Sequence, residues 1–268
     1  MKKVYLFMLP LLFFIRCELF DNSDEQENSN IDYPTILTPL SETELSELQL
    51  ELDSLLDTRY KATLDEYGLI GIPGLLSRGS SSITDMNDAI SIAKVAYTRF
   101  SKFTNVTDTS LLVVKRATNQ TGSIYHNDWI VYFENQKYDD IEVLNTGIFV
   151  LITDNTTQLS GHHYKDIFIP TKDRISLKNA EDTVLDMELI YLGFADADTF
   201  IVTEQSLHVE NAYEEASIII LPYEKDDKIE MRVCWKIPIF MGSIYPDFYV
   251  FVDILSGYII TYWTLFIC

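Results

Sequence analysis

Phe248-Tyr-Val-Phe-Val-Asp253-Ile-Leu-Ser256-Gly257-Tyr-Ile-Ile260 decides the reading of this chain. A run of aromatic and β-branched residues stops at an aspartate, passes through Ser-Gly, and starts again as Tyr-Ile-Ile. That is a hairpin: two strands joined at turn chemistry. An aspartate at a strand end accepts the amides of the turn that follows. Gly257 can take the positive φ that a tight turn asks for. Asp253 is therefore expected to form a turn, not to act as a catalytic acid.

Working back from the hairpin, Ser217–Leu221 and Ile229–Phe240 read as two more strands, with Pro246-Asp247 as a turn. Before them, Ser176 caps a helix carrying Leu177, Ala180, Val184, Met187 and Tyr191 at spacings of three and four. The order is helix first, then an antiparallel meander. An earlier segment repeats it. Thr84 or Asp85 caps a helix with Met86, Ala89, Ile90, Ala93, Ala96 or Tyr97, and Phe100 on one face. Strands at Leu111–Val114, Trp129–Phe133 and Ile148–Thr153 follow. Trp129-Ile-Val-Tyr-Phe133 stands where Trp235-Lys-Ile-Pro-Ile239 stands in the second pass, and Phe149…Asp154 where Tyr249…Asp253 stands. The expected fold is α+β: two units, 83–172 and 173–268, each a helix packed on an antiparallel sheet.

Ahead of these units lie 41–82. Ser41 and Glu44 make a capping box, and Leu45, Leu48, Leu52, Leu55 and Leu56 stripe an amphipathic helix expected to reach about Tyr67. Gly68, Gly71, Pro73, Gly74, Gly79 and Ser80–Ser82 read as a linker. Residues 17–40 are an acidic, solvated tether. In 1–16, Lys2 and Lys3 precede an apolar run from Val4 to Ile15, broken at Pro10. Twelve helical residues reach about 18 Å, short of the roughly 30 Å of a bilayer core, so the run reads as a signal peptide.

Composition narrows the classes of function. The chain has 268 residues, with 41 Asp and Glu against 20 Lys and Arg, a formal charge of −21. Nucleic-acid binding draws on clustered cations that displace counterions, so DNA and RNA are excluded as partners. Three cysteines without a CxxC pair make neither a disulfide framework nor a cysteine-based zinc site. No HExxH and no GxSxG occurs. His126, His162, His163 and His208 are expected in exposed turns, where neighbours on opposite faces do not share a metal. Asp196, Asp198 and the Glu224–Glu230 stretch read as solvated acidic turns. Cys234, inside an apolar strand, behaves as a small hydrophobe. In a simple meander it faces about Phe251, which faces about Tyr262. That leaves Cys268 near 20 Å away, so both are expected as free thiols. No catalytic, cofactor-binding or metal-binding residue is assigned.

The helix-then-meander order, the 248–260 hairpin and the helix opening at Ser176-Leu-Lys-Asn-Ala180 resemble the PepSY domain. Val131–Tyr138 and Gly147–Asp154 resemble the middle of the propeptide that precedes thermolysin-type metalloproteases. Cys17 after the apolar run resembles the lipobox of bacterial lipoproteins, with Arg16 where that pattern has a small residue. The acidic tract behind it resembles the tether of Bacteroidota lipoproteins. These resemblances imply cystatin-like PepSY units and lipid attachment at Cys17, in the bacterial cell envelope at the outer membrane. They imply a non-enzymatic role: binding or restraining a partner protein, a secreted peptidase inhibited in trans, by contact at a sheet edge or face. The alternative is a structural or accessory surface lipoprotein of an uptake or envelope assembly with no protease partner. No cofactor is expected.

Overall fold

A computed structural model describes residues 33–56, 62–72, 74–77, 83–120, 128–153, 156–192 and 197–265. The signal peptide, Cys17 and most of the expected tether lie outside the described residues. In chain order the elements are β1 (Thr35–Leu37), α1 (Glu42–Leu55), β2 (Thr63–Leu64), β3 (Ile70–Ile72), β4 (Gly74–Ser77), α2 (Met86–Arg99) and α3 (Ser101–Thr104). After a 3₁₀ turn at Thr109–Leu111 come β5 (Val114–Asn119), β6 (Trp129–Phe133), β7 (Lys137–Tyr138), β8 (Ile141–Val143), β9 (Phe149–Ile152) and β10 (Thr156–Ser160). Then follow α4 (Leu177–Val184), β11 (Glu188–Leu192), β12 (Ala197–Ile201), α5 (Glu204–Leu207), β13 (Ser217–Lys225), β14 (Lys228–Ile239), β15 (Phe248–Asp253) and β16 (Ile259–Thr264). The protein is mixed α and β, dominated by sheet.

One sheet has five strands in the order β4-β10-β9-β6-β5, all antiparallel. Helix α2 lies on it. Asp85 caps the helix by accepting the amides of Asn87 and Asp88. Ala89, Ala93 and Ala96 give it a flat contact stripe, so Tyr97 and Phe100 sink among Val131, Phe133, Val150, Ile152 and Leu159. Tyr97 is fully buried, and its hydroxyl reaches the carbonyls of Phe149 (3.2 Å) and Ser160. A buried phenol is tolerated because it finds such partners.

Helix α1 begins at its capping box, where Ser41 N–H donates to Glu44 Oε2 (2.9 Å) and Glu44 N–H to Ser41 Oγ (3.3 Å). It buries Leu52 against the same core. It stops at Leu55, short of Tyr67. The side chain of Gln49 supplies one reason: Nε2 donates to Ala62 O (2.9 Å) and Oε1 accepts from Leu64 N–H (3.0 Å). That clasp holds the chain as it doubles back. The segment read as a linker contains β3 and β4, and Gly74–Ser77 is an edge strand paired with Thr156–Leu159.

The second sheet has the order β16-β15-β14-β13-β8-β7, with β1 also on β14. Asp226 and Asp227 join β13 to β14 with φ of 49° and 57°, the paired positive values of a two-residue hairpin whose twist suits its strands. Helix α4 packs Ala180 and Val184 with Leu189, Val202 and Leu207 over Ile237, Ile239, Phe248, Val250 and Val252. Met187 and Tyr191, expected on this helix, are not helical. Asp186 takes φ of 61° and gives its amide to Val202 O (3.0 Å), which turns the chain into the β11–β12 hairpin.

Two features cross the boundaries drawn from sequence. Strand β8, in the 83–172 segment, pairs in parallel with β13 through Ile219↔Glu142 and Ile220↔Val143. Strand β1 pairs with β14 through Thr35↔Met231, so residues 33–40 are packed structure rather than tether. β14 is long enough for both neighbours on one edge: β15 covers Cys234–Ile239 and β1 covers Ile229–Met231.

Candidate functional site

The interval on β14 between β15 and β1 centres on Val233, and Asp253 sits there at 1% exposure. Its Oδ1 accepts from the amides of Leu255 (3.1 Å) and Ser256 (2.8 Å) and from Ser256 Oγ (2.9 Å). Gly257, at φ of 71°, donates its amide to Asp253 O (3.0 Å) and closes the turn. The second oxygen faces inward. Oδ2 accepts from Arg232 Nη1 (2.9 Å) and from the Tyr33 hydroxyl (2.7 Å). Tyr33 Oη also accepts from Val233 N–H (3.1 Å). Arg232 is shared, its Nε (2.7 Å) and Nη2 (2.6 Å) both on Glu230 Oε2.

Burial alone would raise the Asp253 pKa, but the bonds from Ser256, Tyr33 and Arg232 outweigh it and hold the carboxyl below its ordinary value. Burial and the adjacent carboxylate push the Tyr33 phenol up. Every acceptor site of Asp253 that matters for chemistry is occupied by the protein itself. The cluster seals the joint between β15 and β1; it does not present an acid to a substrate.

Cys234 is fully buried opposite Asp253, not opposite Phe251, and Phe251 faces Thr261, not Tyr262. The meander is offset from the simple register because the turns are longer than the minimum and Phe251–Val252 carries a bulge. Burial, with Asp253 adding to it, raises the Cys234 thiol pKa, so the group is a poor nucleophile. Cys268, His126 and Asp196 lie outside the described residues.

The histidine pair is not in an exposed turn. His163 is 3% exposed, and burial, with His162 beside it, lowers its pKa to about 4. His162 stacks edge-on to Tyr164 at 5.1 Å and is likewise lowered by burial. Nothing local in Ser-Gly-His-His reveals this. Distant segments decide it: Asp65 and the Ile70 backbone are felt at His162, while Thr104 and Asn105 hold the His163 backbone. His208 is exposed, 3.7 Å from Glu204 and 3.9 Å from Glu181. Beside it lies a cavity of roughly 720 Å³ lined by Glu181, Glu210, Glu214 and Glu215 over Leu207 and Phe240. Glu214 is already engaged by Lys236 and Tyr249. Among the described residues no group of three or more His, Cys, Asp or Glu is placed to hold a metal.

The surface feature that remains is a sheet edge. β16 reads Ile-Ile-Thr-Tyr-Trp-Thr, has β15 on one side, and among the described residues has no strand on the other. It carries no charge and no proline, the usual devices that keep an edge from pairing. Of the other outer strands of the two large sheets, β5 carries Lys115 and Arg116, β7 is two residues long, and β4 is uncharged but only four residues long, Gly74–Ser77. Beside β16, the Tyr262 hydroxyl accepts from Ile190 N–H (3.4 Å) of the β11–β12 hairpin. On one face of that hairpin Ile190 and Ile201 are 54% and 52% exposed. Glu188 lies opposite Ile201 and Thr199 opposite Ile190 on the same face, so the uncharged edge adjoins a flank of mixed apolar and polar character. Sequence reading placed this strand but not its role, because only sheet order says which strand is outermost.

No known family profile matches the chain, and no curated protein matches it. Three chains of solved structures match. One is the Bacillus megaterium YpeB C-terminal domain, 12% identical, with 85% of this chain and 99% of that one covered and a TM-score of 0.32.

Proposed function

We propose that this is a non-enzymatic cell-envelope lipoprotein, anchored by lipid at Cys17, whose PepSY-like units bind or restrain a partner protein. The partner is a secreted peptidase, restrained as a propeptide restrains its enzyme. The observation that carries the reading is β16: six residues of sheet edge with no charge and no proline, beside the exposed Ile190 and Ile201, the chemistry of β-strand addition. The two-unit reading draws support from α2 on one sheet and α4 on the other. It also draws support from matching registers, Trp129 opposite Ile152 and Trp235 opposite Val252.

The test is capture from envelope extract with the full chain, beside a Thr261→Lys/Thr264→Lys variant that places gatekeeper charges on β16. The expected outcome is a peptidase retained by the wild type, slowed in its activity, and lost from the variant with its thermal midpoint unchanged. Absence of peptidases from the wild-type fraction overturns the peptidase assignment. Equal retention by the variant overturns β16 as the contact. A Cys17→Ser variant is expected in the soluble fraction, with the wild type in the membrane fraction.

A further inference from the structure

A cavity of roughly 550 Å³ opens between the Ser101–Leu111 segment, β7 and residues 163–165. Its lining includes Lys102, Lys137 and Lys165 and not one carboxylate, in a chain where acids outnumber bases 41 to 20. Lys102 is paired with Glu51. Lys137 and Lys165 are exposed, and among the described residues no carboxylate pairs with either. The carboxylates nearest to Lys137 by register and to Tyr164 by field are Glu142, held by Asn135 (2.5 Å), and Asp65 and Glu224; none lines the cavity.

The walls are fixed. Gln136 clasps the Tyr164 backbone, with Nε2 donating to its carbonyl (2.6 Å) and Oε1 accepting its amide (2.8 Å). Asn105 Nδ2 donates to His163 O (2.9 Å), and His163 N–H donates to Thr104 O (2.8 Å). Leu111, 51% exposed, and Tyr138 add apolar surface to the lining. His163 lines the cavity too, and its buried Nε2 has no hydrogen-bond partner. That atom is sealed from solvent, so the surface that meets a ligand is the lysines and the apolar side chains of the lining.

We infer that this cavity binds a small organic anion, its carboxylate or phosphate group between Lys137 and Lys165 and its body against Leu111 and Tyr138. Two unpaired ammonium groups on a rigid frame supply charge-assisted bonds to an oxyanion. The surrounding acidic surface repels polyanions, which restricts the site to small ligands.

Three sugars of one body separate the contributions: glucuronate, glucose 6-phosphate and glucose, each titrated calorimetrically into the full chain at low salt. At least one of the two acids is expected to bind about tenfold or more tightly than glucose, and the preferred acid tells carboxylate from phosphate. Lys137→Ala and Lys165→Ala are each expected to weaken that acid about fivefold, with unchanged thermal midpoints because both side chains are exposed. Binding is expected to shift the ¹⁵N resonances of the His163 ring, which diffuse counterion attraction leaves still. Equal affinity for all three sugars, no binding of either acid at 10 mM, or full affinity in the double-alanine variant overturns the site.

Discussion

Tyr33 and Asp253 lie 220 residues apart and meet in a 2.7 Å hydrogen bond, the phenol donating to a carboxylate that is 1% exposed. The contact ties β1 to the β15–β16 hairpin. It exists because β14 has room on one edge for two strands, and the joint between them would otherwise leave Val233 N–H facing a gap.

Tyr33→Phe is expected to destabilise the protein by about 1.5–3 kcal/mol, the range for a hydrogen bond to a charged group. The variant removes one hydroxyl from Asp253 Oδ2 and from Val233 N–H and keeps the ring. Denaturant unfolding measures it. A change below about 0.5 kcal/mol, the size of an ordinary surface substitution, shows that the joint is solvated.

Acid should weaken the fold in two stages. His163 has its pKa lowered by burial from 6.5 to about 4, so the unfolded chain binds a proton that the folded chain refuses. Its contribution is complete above 6.5 and falls as pH drops towards 4, with a slope of at most about 1.4 kcal/mol per pH unit. Asp253 follows. Its folded pKa lies below the unfolded value, so its contribution holds above ordinary carboxylate pH and is lost as pH falls through the folded value. His163→Leu is expected to lessen the slope of the first stage, with His162, also lowered by burial, keeping the remainder. Equal slopes between pH 6.5 and 4 in the two proteins would falsify it.

Two glycines should respond differently to alanine. At Gly257 the strain is all in φ of 71°, since an added Cβ meets Ile175 Cδ1 only at 3.7 Å; the expected cost is about 1–2 kcal/mol. At Gly161, with φ of 88°, the Cβ would lie 2.7 Å from Ile148 Cγ2. Overpacking there adds roughly 1–3 kcal/mol. Thermal unfolding of the two variants gives the order, and a Gly257 variant less stable than the Gly161 variant contradicts it.

Cys234 should resist alkylation in the native state at pH 8 and react once urea exposes it, because burial raises the pKa of its thiol. Peptide mass spectrometry after iodoacetamide reads that site separately from Cys17 and Cys268. Complete native labelling within minutes would place the thiol at the surface.

Local signals carried much of the secondary structure. The capping box at Ser41 and the alanine stripe of α2 are short-range patterns, and the strand ending at Asp253 is a continuous apolar run bounded by a turn, as a fully buried strand is. Reading failed where a distant residue intervened: Gln49 clasping the chain after α1, Asp186 ending α4 early, Tyr33 drawn out of a polar tract. Tyr33 left one faint sign, an aromatic ring followed by Pro-Thr-Ile-Leu among acids and asparagines. The cavity lysines left none, since Lys102, Lys137 and Lys165 are scattered along the chain.

Sequence by itself determined the α and β composition, the Asp-Ser-Gly turn and the excess of negative charge, because each depends on neighbours within a few residues or on a sum over the chain. Tertiary structure alone decided that β16 is outermost, that β8 runs parallel to β13, that His163 is buried and that three lysines share one cavity. Those are facts of which surface meets which, and burial and field depend on what folds over a residue, not on what precedes it.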